Sequence, residues 1–233
     1  MTARTVVKTS RTRAQIVGVI ASRSDLHCAL DMGTPPDLFE LRLDRLIGLL
    51  DELEKKLPIL PAPLIVTARH PDEGGANQLS HPRRRELLLR FLPRARYVDV
   101  ELRSVKALRS VLEFARKRKI RRIISFHDLK ETPSVRRLKT KADAANSAGA
   151  DNFKIVTRTD TPAQLIRLFE FFANKENDLA VSAMGIGQLG AASRVVLAQL
   201  GSAFTYASIG RPTIEGQLPI RQLRAAFTAL KIR

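Results

Sequence analysis

A chain of 233 residues, 44% of them hydrophobic, can bury one sizeable core, so a single domain spanning 1–233 is expected. Its lone cysteine, Cys28, excludes a disulfide framework and a cysteine-based zinc site and fits a reducing cytoplasm, and no apolar run is long enough to cross a bilayer. The formal net charge of +17 favours anionic partners; with no Trp and only two Tyr, aromatic platforms for nucleic-acid bases are missing, so a small anionic substrate is expected and nucleic acid is disfavoured.

No acid occurs in the first 24 residues. Their composition resembles an organelle-targeting segment weakly, and a short basic arm or hairpin over residues 1–14 explains it as well. Gln15 to Ile20 (QIVGVI) reads as a buried strand, followed by a helix from Asp25 to Met32 that Gly33, Pro35 and Pro36 close. Asp37 to Asp44 (DLFELRLD) alternates, with Phe39, Leu41 and Leu43 on one face and Glu40, Arg42 and Asp44 on the other. A face so charged is not ordinary packing. Next come a helix over 48–56, the strand Leu64 to Arg69 (LIVTAR), the loop His70 to Gly75 (HPDEGG) and a helix from Pro82 to Phe91. In the strand Tyr97 to Leu102 (YVDVEL), Asp99 and Glu101 share a face, and a helix from Val105 to Arg118 follows.

Two further strands, Arg121 to His127 (RRIISFH) and Asn152 to Arg158 (NFKIVTR), flank a helix near Val135 to Ser147. Ile123, Ser125 and His127 project one way, so His127 ends a strand on its more polar face. Lys154 lies in mid-strand among Phe153, Ile155 and Val156, where an amine in apolar surroundings is available as a nucleophile toward a carbonyl. Taken singly, a capping histidine and a snorkelling lysine are the plainer explanations. A helix from Pro162 to Ala173, the strand Leu179 to Met184, a turn punctuated by Gly185, Gly187 and Gly190, and a helix over 191–200 follow. The strand Ala203 to Ser208, a loop from Ile209 to Gln217 and a helix from Pro219 to Leu230 complete the chain.

Strands and helices thus alternate eight times at intervals of roughly 25 to 30 residues, the pattern of a (β/α)₈ TIM barrel rather than of a doubly wound sheet. Barrel active sites lie at the C-terminal ends of the strands. There this sequence places Glu40, Arg42, Arg69, Asp99, Glu101, His127, Lys154 and Met184. The basic clusters at Arg83 to Arg85, Arg116 to Lys119 with Arg121 and Arg122, and Arg136 with Arg137 fall on helices and turns and read as solvated surface.

The runs FELRLD, TARHPDEGG, VDVEL, IISFHDLKETP, ADNFKIV, the pair Ser193 and Arg194, GSAFTYAS, and Gly216 with Gln217 resemble, in order, the motifs of type I 3-dehydroquinate dehydratase. The resemblance extends from about Gln15 to Gln217 and implies conversion of 3-dehydroquinate to 3-dehydroshikimate in the shikimate pathway, without metal or cofactor, by a cytoplasmic homodimer. It makes Lys154 the imine-forming lysine and His127 the acid and base. Glu73 becomes the carboxylate that orients this histidine and favours its protonated state. Glu40, Arg42 and Arg69 would grip the substrate's hydroxyls and keep the site positive, which favours a neutral Lys154. Arg194 would clamp the carboxylate, with Asp99, Glu101, Met184, Tyr206, Thr213 and Gln217 completing the substrate site. The chain departs from the family pattern where SAPGQ becomes Thr213, Ile214, Glu215, Gly216, Gln217 and where the usual Phe becomes Tyr206. Glu215 is expected to point to solvent. Another Schiff-base lyase or aldolase barrel is the alternative within enzymes, and a nucleic-acid-binding barrel the alternative outside them.

Overall fold

Period-two alternation separates each strand's side chains into two sets, and the molecule buries both. The computed structural model describes residues 13–175, 178–212 and 214–232. Among them are eight parallel strands: β1 (Gln15–Ile20), β2 (Leu38–Arg42), β3 (Leu64–Thr67), β4 (Tyr97–Glu101), β5 (Arg121–Asp128), β6 (Asn152–Arg158), β7 (Ala180–Ile186) and β8 (Phe204–Ser208). They alternate with the helices α1 (Arg23–Leu30), α2 (Leu50–Lys56), α3 (His81–Phe91), α4 (Arg109–Lys117), α5 (Val135–Ser147), α6 (Pro162–Ala173), α7 (Gly190–Leu200) and α8 (Ile220–Ala229). Strand order runs β7-β6-β5-β4-β3-β2-β1-β8. At the remaining seam the Ala203 N–H donates to the Val181 carbonyl at 2.9 Å and the Phe204 N–H to Ser182 Oγ at 3.1 Å, drawing β8 against β7 into a nearly closed (β/α)₈ barrel.

Outward side chains such as Phe39, Leu41, Val98, Ile124 and Phe153 pack with Leu87, Phe91, Leu168 and Phe171 of the helix ring. Inward ones form a separate floor of Val17, Leu38, Ile65, Tyr97, Ile123 and Phe204 at the N-terminal end of the barrel. Above it the inward positions turn polar, with Ser125, Lys154 and Ser182 level across β5, β6 and β7. Hydroxyl caps begin several helices: Ser22 at α1, Ser80 at α3, Ser134 at α5, and a reciprocal Thr161–Gln164 capping box at α6.

The elements occur where the sequence puts them, and their boundaries differ for identifiable reasons. β2 stops at Arg42 instead of Asp44 because the Asp44 carboxylate turns back to accept from the Arg42 guanidinium at 3.0 and 2.8 Å. β7 continues past Met184 to Ile186, so Gly185 belongs to the strand rather than the turn; a Cβ there would collide with the Thr159 and Ser193 hydroxyls. α4 begins at Arg109 because Leu102–Ser104 first forms a 3-10 turn. Of the expected basic arm, residues 1–12 lie outside the described residues.

The expectation of a solvated Arg83–Arg85 cluster fails at Arg84. Positions 84, 87, 88 and 91 form the buried stripe of α3, and Arg84 is fully buried on it. Its guanidinium pairs with Glu101 and donates to the Ala68 carbonyl at 2.6 Å and Ser104 Oγ at 3.0 Å. Removing one partner from a buried pair strands the other charge, so Arg84→Ala should lower stability by about 3–5 kcal/mol, whereas Arg85→Ala, on the exposed face, should cost less than about 0.5 kcal/mol. Urea unfolding of both variants measures the difference; equal losses would contradict a structural role for Arg84.

Candidate active site

Lys154, at an inward position of β6, is buried, but not among apolar groups. Phe153 and Ile155 point to the helices, while the side chain of Lys154 crosses to carboxylates from other strands. Its Nζ lies 3.0 Å from Asp99 Oδ2 and 3.3 Å from Glu40 Oε1, and 3.9 Å from the centre of the Tyr206 ring. This corrects the expected apolar environment: sequence neighbours on a strand mostly report the opposite face. Glu40 Oε1 is held in turn by the Thr67 hydroxyl at 2.8 Å.

Arg69, just past β3, lies over the same carboxylates. It donates to Asp99 at 2.8 and 3.1 Å, to Glu101 at 3.1 Å and to Ser125 Oγ at 2.7 Å. Burial alone would lower its pKa, but Asp99 and Glu101 raise it well above the ordinary arginine value. Asp99 shows the reverse balance, with burial outweighed by Arg69 and Lys154, so that its pKa falls below the usual carboxylate range. Asp99 and Glu101 are fully buried and do not line the cavity; they bear on it through Arg69, Lys154 and the His70 N–H, and through their charge. The site is therefore not simply positive, because carboxylates lie among the cations.

His127 stands one inward step above Ser125 on β5, next to β6, so its Cα lies about 6.6 Å farther toward the mouth than the level of Lys154. Glu73 Oε2 accepts the His127 backbone N–H at 3.0 Å and lies 2.9 Å from Nδ1. A carboxylate there accepts a hydrogen bond from Nδ1–H, which keeps the proton on Nδ1 and leaves Nε2 as the free base. Burial, with Arg69 and Lys154 nearby, holds the His127 pKa well below its ordinary value, and burial pushes Glu73 up to about 7. The expectation that Glu73 keeps the imidazole protonated is thus corrected: the surroundings favour the neutral ring.

The loop that delivers Glu73 is tightly constrained. Gly74 has φ 85°, and a Cβ on Gly75 would strike the Arg69 carbonyl, so both positions need glycine. Asp44 pins the loop by accepting the Arg69 N–H at 3.2 Å and the Ala76 N–H at 3.0 Å, while Arg42 reaches the Gly74 carbonyl at 3.0 Å. Arg42 is thereby already committed to protein partners.

Across the mouth, Arg194 of α7 is buried, and among the described residues no carboxylate pairs with it. Its guanidinium donates to the carbonyls of Gly216 at 3.0 Å and Tyr206 at 3.1 Å and to Met184 Sδ at 3.2 Å. Burial lowers its pKa to about 10. Among the described residues the buried Tyr206 hydroxyl has no hydrogen-bond partner, and burial, with Glu40 and Asp99, raises its pKa. Glu215 is exposed, as expected, but also paired: its Oε2 receives Arg158 Nη2 at 3.1 Å, and its carbonyl receives the Gly187 N–H at 3.1 Å. Thr213 lies outside the described residues.

These groups enclose a cavity of about 290 Å³ lined by Glu40, Arg42, Arg69, Glu73, His127, Lys154, Met184, Arg194, Tyr206 and Gln217. That volume suits a small metabolite rather than a polymer. Sequence reasoning missed Arg45, Leu129, Val156, Arg158, Ile186 and Ile214 in its wall. Val156, Arg158 and Ile186 continue the inward alternation and could have been found by extending it; Arg45, Leu129 and Ile214 sit on loops, where no periodicity applies.

The family model for type I 3-dehydroquinase matches residues 18–233. The 3-dehydroquinate dehydratase of Pyrococcus abyssi is 36% identical over 200 residues, covering 83% of this chain and 87% of that protein. That of Thermococcus gammatolerans is 33% identical over 217 residues, covering 92% and 98% respectively. The crystal structure of 3-dehydroquinate dehydratase from Geobacillus kaustophilus has the same fold, with a TM-score of 0.84 at 23% identity over 94% of this chain and 92% of that one. A family match that runs from within β1 through α8, and relatives aligned over most of their own length, mean that the chain belongs to the type I 3-dehydroquinase family.

Proposed function

We propose that this chain dehydrates 3-dehydroquinate to 3-dehydroshikimate, a step of the shikimate pathway, through an imine on Lys154 with His127 moving the protons. The observation that carries the reading is the convergence on one small cavity of a buried lysine, a neutral histidine held by a carboxylate, and an arginine without a carboxylate partner. Glu40 and Asp99 are the carboxylates within reach of the proton that Nζ must shed before attack. The free amine adds to the ketone carbon, water leaves, and the protonated imine draws electrons from the neighbouring carbon. His127 Nε2 takes the proton from that carbon, giving an enamine. The enamine expels the β-hydroxyl, which leaves as water with the proton that the imidazolium returns. Hydrolysis of the imine then releases the enone product and frees Lys154.

In this scheme Arg194 receives the substrate carboxylate, a task suited to a guanidinium. Glu40, Arg69 and Gln217 face its hydroxyls, while Arg42 contributes chiefly by fixing the Glu73 loop. A homodimer and a cytoplasmic location belong to the same proposal and rest on the family resemblance.

Borohydride added with 3-dehydroquinate should fix a mass adduct on the peptide containing Lys154, and Lys154→Ala should be inactive and take up no label. An adduct on another lysine would sink the scheme. His127→Ala should lower kcat by about 10²- to 10⁴-fold while still allowing the adduct to form. Arg194→Ala should raise KM by about 10- to 100-fold, the loss of a charge-assisted pair; an unchanged KM would contradict the clamp.

The pH dependence follows from Glu73. Its ionised form is needed to accept the hydrogen bond from Nδ1–H, and burial raises its pKa to about 7. The value of kcat/KM should therefore fall as the pH drops through that region. In Glu73→Gln the amide cannot titrate, so this acidic limb should disappear and leave a lower plateau. Persistence of the limb would assign it to another group.

A further inference from the structure

Opposite the catalytic mouth, at the N-terminal ends of the strands, three cavities adjoin. Arg13, Arg224 and Lys231 border one of about 560 Å³. Arg13, Arg121 and Asn152 border one of about 550 Å³. Arg96, Arg118, Lys119 and Arg121 border one of about 430 Å³. Arg13 is shared by the first two and Arg121 by the last two, so the cavities form one arc across the base of the barrel. Two carboxylates line it, and both are occupied. Asp37 holds Arg13 and accepts the Ile16 N–H, and Asp151 accepts both the backbone N–H and the guanidinium of Arg122.

Three details point to a ligand. Lys119 and Lys231 are left-handed, with φ 58° and 51°, just past α4 and α8; the corresponding residues past α5 and α7 are Gly149 and Gly201. Lysine at such a position gives up stability that glycine keeps. A helix dipole would reward a cation at neighbouring positions equally, so it does not explain the choice. At the middle of the arc, Asn152 is 2% exposed, and among the described residues both of its amide atoms lack a partner. Arg121 is preset, donating to the Tyr97 hydroxyl at 3.1 Å.

We infer that this arc binds a linear chain of phosphates, of the kind found in inorganic polyphosphate, at a site remote from the dehydratase cavity. An arc of joined cavities is longer than one phosphate needs. The three aromatic rings that border it are buried, Tyr97 and Phe204 at 4% exposure and packed against one another at 5.3 Å, and Phe227 at 6% within an apolar cluster, so nucleic-acid bases have no face on which to stack. The phosphates are held by cations and amide groups alone.

Calorimetric titration of the full-length protein with inorganic polyphosphate at physiological salt tests the inference. Binding should exceed that of orthophosphate at equal phosphate concentration and weaken steeply as salt rises. Lys119→Gly combined with Lys231→Gly should melt no lower than the parent, because glycine suits both backbones, and should keep full dehydratase activity while binding polyphosphate about tenfold more weakly. Absence of binding, or parent-like binding by the double variant, would overturn the site. Tighter binding of single-stranded RNA of equal charge would overturn the choice of ligand.

Discussion

Asp99 is the group on which the interior depends. Fully buried on β4, its carboxylate receives Arg69 from beyond β3, Ser125 from β5 at 2.6 Å and Lys154 from β6 at 3.0 Å. A carboxylate in such a place is tolerable only when paired and hydrogen-bonded. The pairing reaches across strands and so fixes both their register and the position of Nζ. Glu101, one inward step higher, repeats the device by joining Arg69, Arg84 of α3 and the His70 N–H. The loop carrying Glu73 begins at that His70. Folding and the site therefore draw on the same ion pairs.

The network explains how a basic protein can keep an imidazole neutral beside an amine. Positive charge on Arg69 and Lys154 opposes protonation of His127, and burial adds to it. Of the carboxylates that balance those cations, Asp99 lies one inward step below the level of Lys154 and Glu101 lies on that level, while Glu73 pairs with the ring from the loop above β3. Charge is thus interleaved across the barrel, with carboxylates among the cations and the base one inward step nearer the mouth. Arg194 stands apart from this network, held by carbonyls and a thioether, and keeps its charge available to an incoming anion.

Much of this was legible in the sequence. Alternation in FELRLD, YVDVEL and NFKIVTR correctly put Glu40, Arg42, Asp99, Glu101 and Lys154 on inward faces, because one strand's alternation needs no knowledge of its neighbours. What each side chain meets across the barrel was not legible. Lys154 read as an amine among apolar residues since its carboxylate partners lie 55 and 114 positions away. Arg84 read as surface because charge was counted without helical phase, although the stripe 84, 87, 88 and 91 marks it as inward. The pairing of Arg158, at the end of β6, with Glu215 was not legible either, because Glu215 sits on a loop and carries no periodic signal.

If burial and the neighbouring cations hold His127 neutral with its proton on Nδ1, nitrogen-15 chemical shifts of the ring in labelled protein should report that state directly. At about pH 8 the expected spectrum has a protonated Nδ1 and a bare Nε2, and the ring should stay singly protonated as Glu73 takes up its proton near 7. A doubly protonated imidazolium at neutral pH and above would contradict the account.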